Sequence, residues 1–338
     1  MRPSHFLIIF VLIFGFKDTG LFAQTGIPPN DIERVGQSGW QFLKINGDPR
    51  QAALGGTFCA LAPVNANAVF GNPAALVGVE RFDVQLNSMK WIADINHHSV
   101  AFAANLGEWG TLGLSLVTLD YGDIPETINL PIPENNITEV VITGNTFSSR
   151  DLAAGVSYAR RITDRLAIGG NLRWLRQSIA EVSMTNLSLD FGTMYYTGLG
   201  SLRIAIAARN FGPDSHLVGF SEEFQSEPVD IRMPIDFRLG LAYDVLEERS
   251  GSPHFLSAAI EGNHPNDGAE KIQMGVEYSF QQLLFLRSGY KFNYDEQGLT
   301  LGAGIHYAPG DFSGTLNYAY VDFGALRQAH MFSFGFTF

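Results

Sequence analysis

From about residue 80 onward, apolar and polar positions alternate with a period of two almost without a break. Leu202, Ile204, Ile206 and Ala208 are interleaved with Arg203, Ala205, Ala207 and Arg209. Ile272, Met274, Val276, Tyr278 and Phe280 alternate with Lys271, Gln273, Gly275, Glu277 and Ser279, and the chain ends on Phe332, Phe334, Phe336 and Phe338. Successive side chains of a strand point to opposite faces, so the pattern predicts strands with one apolar face and one polar or small face. Such segments fall near 82–91, 95–106, 110–122, 149–161, 165–178, 184–197, 200–211, 234–244, 253–264, 270–280, 283–293, 298–307, 311–321 and 329–338. Each is close to the ~9–11 residues that a tilted strand needs to cross a bilayer, and an even number suits an outer-membrane barrel. Short turns such as Gly107–Trp109 and Gln281-Gln282 alternate along the chain with a second set that contains two long connections, Asp123–Ser148 and Gly212–Met233. Short turns at one rim and longer loops at the other belong to the same architecture.

The face opposite the apolar one decides between a soluble sandwich and a lipid-facing barrel. It carries Arg173, Arg203, Arg209, Asp236, Arg238, Glu277, Arg287 and Lys291, together with Asp190 and Glu261. Charges of both signs suit a concave interior in which they pair, while the apolar face meets hydrocarbon. Every backbone group must then be bonded within the sheet, and closing the sheet removes its edges. The fold expected is therefore all-β, a transmembrane antiparallel barrel of about 14 strands over residues 81–338. Trp91, Trp109, Tyr121, Trp174, Tyr195, Tyr307 and Tyr320 stand near strand ends, as interfacial girdles require.

Composition narrows the partners. The 338 residues hold 22 Lys and Arg against 34 Asp and Glu, a net charge of −12, which argues against nucleic acid. The single cysteine, Cys59, excludes an internal disulfide and a cysteine-rich metal site; it reads as a small buried side chain. At the N-terminus Arg2 precedes the apolar run Phe6–Phe16, and Leu21-Phe22-Ala23 reads as a cleavage site, so residues 1–23 are read as a secretory signal.

Residues 24–80 form a separate segment before the barrel. Its second half is rich in small residues, with Gly55-Gly56 permitting a bend and Pro73 holding Asn72 away from helix, and it reads as a plug or hatch lodged in the lumen. Arg50, Ala53-Leu54-Gly55-Gly56, Ala60 and Asn72-Pro73-Ala74 resemble the N-terminal signature of PorV/PorQ-type outer-membrane proteins, relatives of the FadL channels. Asn263-His264-Pro265-Asn266-Asp267, the Leu286–Asp295 segment and Tyr318–Gly324 resemble recurring segments of the same family. The sequence departs from it at Pro63-Val64-Asn65, where the family has an acidic pair, and at Leu54, where Met is common. The resemblance implies a barrel of the Bacteroidota outer membrane that docks or shuttles cargo proteins, through their C-terminal domains, in type IX secretion beside translocon and attachment-complex proteins. A FadL-like channel for hydrophobic small molecules is the alternative it leaves open.

Enzymatic signatures are missing: there is no Gly-x-Ser-x-Gly, His-Glu-x-x-His or phosphate loop. His97 and His98 are adjacent, so on a strand they face opposite ways and cannot share an ion; a rim or loop position is expected for both. A non-enzyme with no metal and no cofactor, surrounded by outer-membrane lipid, is the expectation. The lumen charges serve either the structure or a solute pathway. Ile128, Leu130, Ile132 and Val140 in one long connection, and Leu217, Val218, Phe220 and Phe224 in the other, are the residues expected to meet cargo.

Overall fold

The computed structural model describes residues 36–132, 137–216, 230–246, 252–310 and 312–338. The signal expected at 1–23, the start of the expected hatch segment at 24–35, and Leu217, Val218, Phe220 and Phe224 lie outside the described residues. Fourteen antiparallel strands follow one another around a closed barrel. They are β1 (Phe82–Lys90), β2 (Asn96–Asn105), β3 (Thr111–Ile132), β4 (Ile137–Thr163), β5 (Leu166–Ile179), β6 (Val182–Tyr196) and β7 (Arg203–Phe211). The second half comprises β8 (Asp236–Leu246), β9 (His254–Pro265), β10 (Lys271–Phe280), β11 (Leu284–Phe292), β12 (Leu299–Tyr307), β13 (Ser313–Asp322) and β14 (Gln328–Thr337). The seam is shut by β1 on β14, in register from Asp83↔Thr337 to Lys90↔His330. Beyond it, Phe82 and Phe338 exchange backbone hydrogen bonds of 3.1 and 3.0 Å.

The alternation resolves as the sequence predicts, apolar side out. On β6, Leu187, Leu189 and Phe191 are 51, 42 and 56 % exposed, while the intervening Ser188 and Asp190 are 0 and 3 % exposed. Outward-facing Leu, Ile, Val and Phe recur on the other strands, and only hydrocarbon accommodates an apolar belt of that extent. No helix among the described residues is long and apolar enough to cross a membrane; the strands do so. The protein is an outer-membrane barrel. Around the lower rim, where the chain ends, Trp109, Tyr158, Tyr195 and Tyr307 are exposed, and Phe82 stacks between Phe102 and Phe338. Trp91 and Tyr121 are not part of a girdle. Trp91 packs edge-on against Phe323 at 4.5 Å, Tyr121 donates to Asp151 at 2.8 Å, and both line the lumen. Both continue the inward-facing parity of their strands, two residues beyond the buried Met89 and Leu119.

The connection Asp123–Ser148 is not a loop. β3 and β4 run on past their neighbours as a two-stranded hairpin, paired from Asp123↔Ser148 to Ile132↔Ile137 with register shifts at Asp120/Asp123 and Pro125/Thr127. Pro125, Pro131 and Gly144 hid this continuation, because both residue types are poor strand formers. β2 reaches only to Asp120 of β3, so about 12 further residues of β3 rise beyond the barrel wall, roughly 40 Å at ~3.3 Å per residue.

Residues 36–80 descend through the lumen. Ser38 bridges to Arg232 above β8, and Asn105 Nδ2 donates to the Val79 carbonyl at 2.8 Å at the lower rim, where the chain turns into β1. Between these points come a 3-10 turn (Gln41–Lys44), a short helix α1 (Pro49–Ala53) and two further 3-10 turns (Ala66–Phe70, Pro73–Gly78). Asp48 caps α1 by accepting from Arg50 N at 3.0 Å, with Pro49 at the first helical position.

Placing a charge on the lipid face costs more at mid-membrane than above it. Leu172→Arg, on the outer face of β5, is expected to destabilise the barrel by about 2–4 kcal/mol, and Leu130→Arg, on the projecting hairpin, by about 0–1 kcal/mol. Denaturant titration of the liposome-folded protein measures both.

Candidate functional site

Each descending turn of the inner segment is matched by the wall. Gly275 of β10 and Gly289 of β11 face each other in register, and so do Gly169 of β5 and Gly192 of β6. A β-carbon on Gly289 would lie 2.0 Å from Gly55 N, and one on Gly275 2.5 Å from Leu54 O. On the second pair, a β-carbon on Gly169 would lie 2.6 Å from Ala74 N, and one on Gly192 2.0 Å from Asn72 Oδ1. Gly169, Gly275 and Gly289 are therefore points where the backbone of the plug touches the backbone of the barrel, and Gly192 makes room for the Asn72 side chain. Gly55, at φ 71°, fits the first pair as the left-handed residue after α1. At the second, Asn72 Nδ2 donates to Cys59 O (2.9 Å) and Thr193 O (3.0 Å), while its Oδ1 accepts from Ala74 N (3.1 Å). Gly55, Asn72, Pro73 and Ala74 sit at these contacts, Arg50 is bound to Glu277, and Gly56 lies beside Gln273 and Lys291.

Charged side chains complete the attachment. Arg50 donates to Glu277 of β10 from Nη2 at 2.7 Å and from Nε at 2.8 Å, and from Nη1 to the Leu61 carbonyl at 3.1 Å. Arg287, opposite Glu277 in register, donates to the same carboxylate at 2.6 Å and onward to Asn317 at 2.9 Å. A second carboxylate, Glu261 of β9, accepts from Phe58 N (3.0 Å), Cys59 N (2.8 Å) and Arg238 Nη1 (3.0 Å); Arg238 also donates to Asp236 at 2.7 Å. The other predicted lumen charges lie away from the plug's charged anchors. Arg173 donates to Asp190 and Asn210, each at 2.6 Å, and Arg203 donates to Asp244 at 2.5 Å near the lower end of β8. Bonds of this kind satisfy buried charge.

The interior is more mixed than a purely polar lumen. Ala101, Ala103, Ala159 and Ala167 of the wall pack on Val69, Ala74 and Leu76, and higher up Trp40, Phe42 and Leu43 pack on Leu119, Leu175, Met184 and Met233. His97 is buried within this interior rather than at a rim, since β2 turns it inward beside Gly47; His98 is on the exposed outer face. Cys59 is fully buried against Gly240. Among the described residues there is no group of three potential metal-binding His, Cys, Asp or Glu side chains.

Between the plug and the barrel wall lies a cavity of about 420 Å³. Phe42, Ile45, Trp91, Leu119, Phe323 and Met331 form one side of it; Arg209, Arg238, Lys271, Lys291, Gln273 and Tyr294 form another. Of these, Arg209, Arg238 and Lys291 were anticipated as lumen charges. Tyr294 and Phe323 lie in connections, where alternation carries no signal, and Lys271 shows only as the polar first residue of its strand. At the upper end Asp267, in the turn between β9 and β10, accepts from Gln41 Nε2 at 2.9 Å and from Ser38 and Lys44. Burial pulls its pKa upward, but these donors win and hold the carboxyl below its ordinary value.

No protein-family model and no curated protein matches the chain. Solved structures do. The Pseudomonas putida toluene transporter TodX aligns with a TM-score of 0.56 at 13% identity, covering 87% of this chain and 99% of that one. The Ralstonia pickettii toluene transporter TbuX gives 0.53 at 14%, covering 88% and 100%. The monoaromatic hydrocarbon channel CymD gives 0.54 at 12%, covering 86% and 97%. The chain thus shares the 14-strand barrel fold of these outer-membrane transporters. Likeness at such identity reaches the fold and no further, and it singles out no PorV/PorQ branch within that fold.

Two outcomes test the plug. Gly289→Ala drives a β-carbon into Gly55, and Glu277→Gln leaves Arg50 and Arg287 with a weakened partner. Each is expected to cost about 2–4 kcal/mol of stability in denaturant titration, against about 0.5 kcal/mol for the exposed Ser88→Ala. Asp267, with its pKa lower folded than unfolded, stabilises the upper anchor above its unfolded pKa of about 3.9 and ceases to as pH falls through the lowered value. In a variant retaining only Trp40, acid is expected to red-shift emission in that range, and Asp267→Asn to show the shift at neutral pH.

Proposed function

We propose that the barrel takes small molecules with an apolar body from outside the cell into the cavity between its plug and its wall, in the manner of a FadL-like channel. The observation that carries this reading is the cavity itself. Its volume of about 420 Å³ falls in the range of small-ligand sites, about 300–1,000 Å³, and its aromatic and aliphatic side is suited to an apolar body. The solved proteins of the same fold, described as toluene transporters and a monoaromatic hydrocarbon channel, support it. Under this reading the glycine and carboxylate contacts of the plug bar a straight path, and passage requires either plug movement or an opening in the wall.

Toluene uptake by cells expressing the full chain tests the reading. Val321, buried in the cavity lining, is the position to fill. Val321→Trp is expected to lower uptake about fivefold or more while the protein still inserts, judged by its heat-modifiable gel mobility. Uptake equal to that of cells lacking the gene contradicts the reading.

A second reading has its own support. The β3–β4 hairpin projects above the wall with Ile128, Leu130, Val140 and Ile142 exposed at 43–68 %. Together with the PorV/PorQ-like motifs, this favours a non-enzymatic docking barrel of type IX secretion whose hairpin meets cargo or translocon proteins. Removing residues 124–147 is then expected to leave an inserted barrel and abolish export of cargo; normal export in that strain rules the reading out.

A further inference from the structure

The polar side of the cavity is not an ordinary lining of balanced charges. Four cations from neighbouring strands are gathered on two aromatic rings. The guanidinium carbons of Arg209 (β7) and Arg238 (β8) lie 5.2 and 4.3 Å from the ring centre of Phe58 on the plug. The ammonium groups of Lys271 (β10) and Lys291 (β11) lie 4.3 and 5.3 Å from the ring centre of Tyr294. All six side chains line the one cavity.

Carboxylates balance them only in part. Arg238 is paired with Asp236 and Glu261, but among the described residues Arg209, Lys271 and Lys291 form no ion pair. Lys291 donates only to the amide oxygen of Gln297, and Arg209, 7 % exposed, keeps an Nε without a hydrogen-bond partner. Elsewhere in the lumen, Arg50, Arg173, Arg203 and Arg287 each have a carboxylate. Buried cations without counter-charges are costly, and aromatic faces offset only part of that cost. An anion entering the cavity offsets the rest.

We propose that this wall binds a doubly charged oxyanion of the phosphate-monoester type, carried on a small apolar or aryl body. The proposal rests on the reading of the cavity as a ligand chamber and adds the charge of what it holds. Arg209, Arg238, Lys271 and Lys291 share the two carboxylates of Asp236 and Glu261, which leaves two positive charges in excess; a dianion balances both, whereas a single carboxylate leaves one. Guanidinium and ammonium groups converging on one space suit an oxyanion with several acceptor oxygens. The body then lies against Trp91 and Phe323, which come from the β1 and β13 side of the barrel, across the lumen from β7 and β8 and a few strands round the wall from β10 and β11.

The test uses the full chain purified in non-ionic detergent and titrated calorimetrically at a pH of about 7.5, where a phosphate monoester is mostly the dianion. Four probes separate charge from body: phenyl phosphate, benzoate, benzyl alcohol and inorganic phosphate. Phenyl phosphate is expected to bind about tenfold or more tightly than each of the other three. The Lys271→Gln/Lys291→Gln variant is expected to lose about tenfold of that affinity and to bring the ratio of phenyl phosphate to benzyl alcohol towards one. Arg209→Gln, on a different strand, gives the same readout if the double variant does not fold. Benzyl alcohol binding as tightly as phenyl phosphate overturns the anion site while leaving the chamber. Inorganic phosphate binding as tightly overturns the role of the body. Binding of phenyl phosphate unchanged in the folded variants overturns the placement, and the absence of binding by all four probes overturns both the site and the chamber on which it rests.

Discussion

A backbone that crosses hydrocarbon must find all its hydrogen-bond partners in its own chain, and the rest of this architecture follows from that requirement. A sheet meets it only by closing, which β1 and β14 accomplish with a continuous register. Closure then divides every strand into a lipid side and an inner side, so the period of two in the sequence is a consequence of solvent and not of packing between layers. It also creates a lumen. Fourteen strands leave an interior wider than their own side chains fill, and residues 36–80 occupy it.

How the inner segment is held explains much of the remaining sequence. The plug comes closest where the wall has no β-carbon: its backbone meets Gly169, Gly275 and Gly289, and its Asn72 side chain meets Gly192. Between those contacts, two wall carboxylates reach the plug by different means. Glu277 takes the Arg50 side chain, while Glu261 takes the backbone amides of Phe58 and Cys59. Most of the buried charge is consumed in this way, which is why the unpaired cations around Phe58 and Tyr294 stand out. A barrel whose charges served attachment alone would have no need of them.

The barrel was legible because its signal is repeated on every strand: Leu187, Leu189 and Phe191 against Ser188 and Asp190 is the same statement as Leu202, Ile204 and Ile206 against Arg203 and Ala205. The identity of many inward charges followed from the same parity. Their partners did not, since Arg50 and Glu277 are 227 residues apart and meet only through closure of the barrel. The projecting hairpin was misread as a loop because Pro125, Pro131 and Gly144 interrupt a pairing that local propensity disfavours and the long β3–β4 register nonetheless sustains. Trp91, Tyr121 and His97 were assigned to rims where the chain in fact turns them inward. The cavity itself had no local signature, for its walls come from several strands, two connections and the plug.

The division of the barrel into a lipid side and an enclosed side can be measured with two of its own tryptophans. Trp174 is on the outer face, 41 % exposed, and Trp40 lies in the lumen, 1 % exposed. In variants that keep one or the other, folded into bilayers of lipids with brominated acyl chains, emission from Trp174 should be strongly quenched and emission from Trp40 should persist. Equal quenching of both, or a Trp174 that responds to aqueous quencher and not to brominated lipid, would contradict the account.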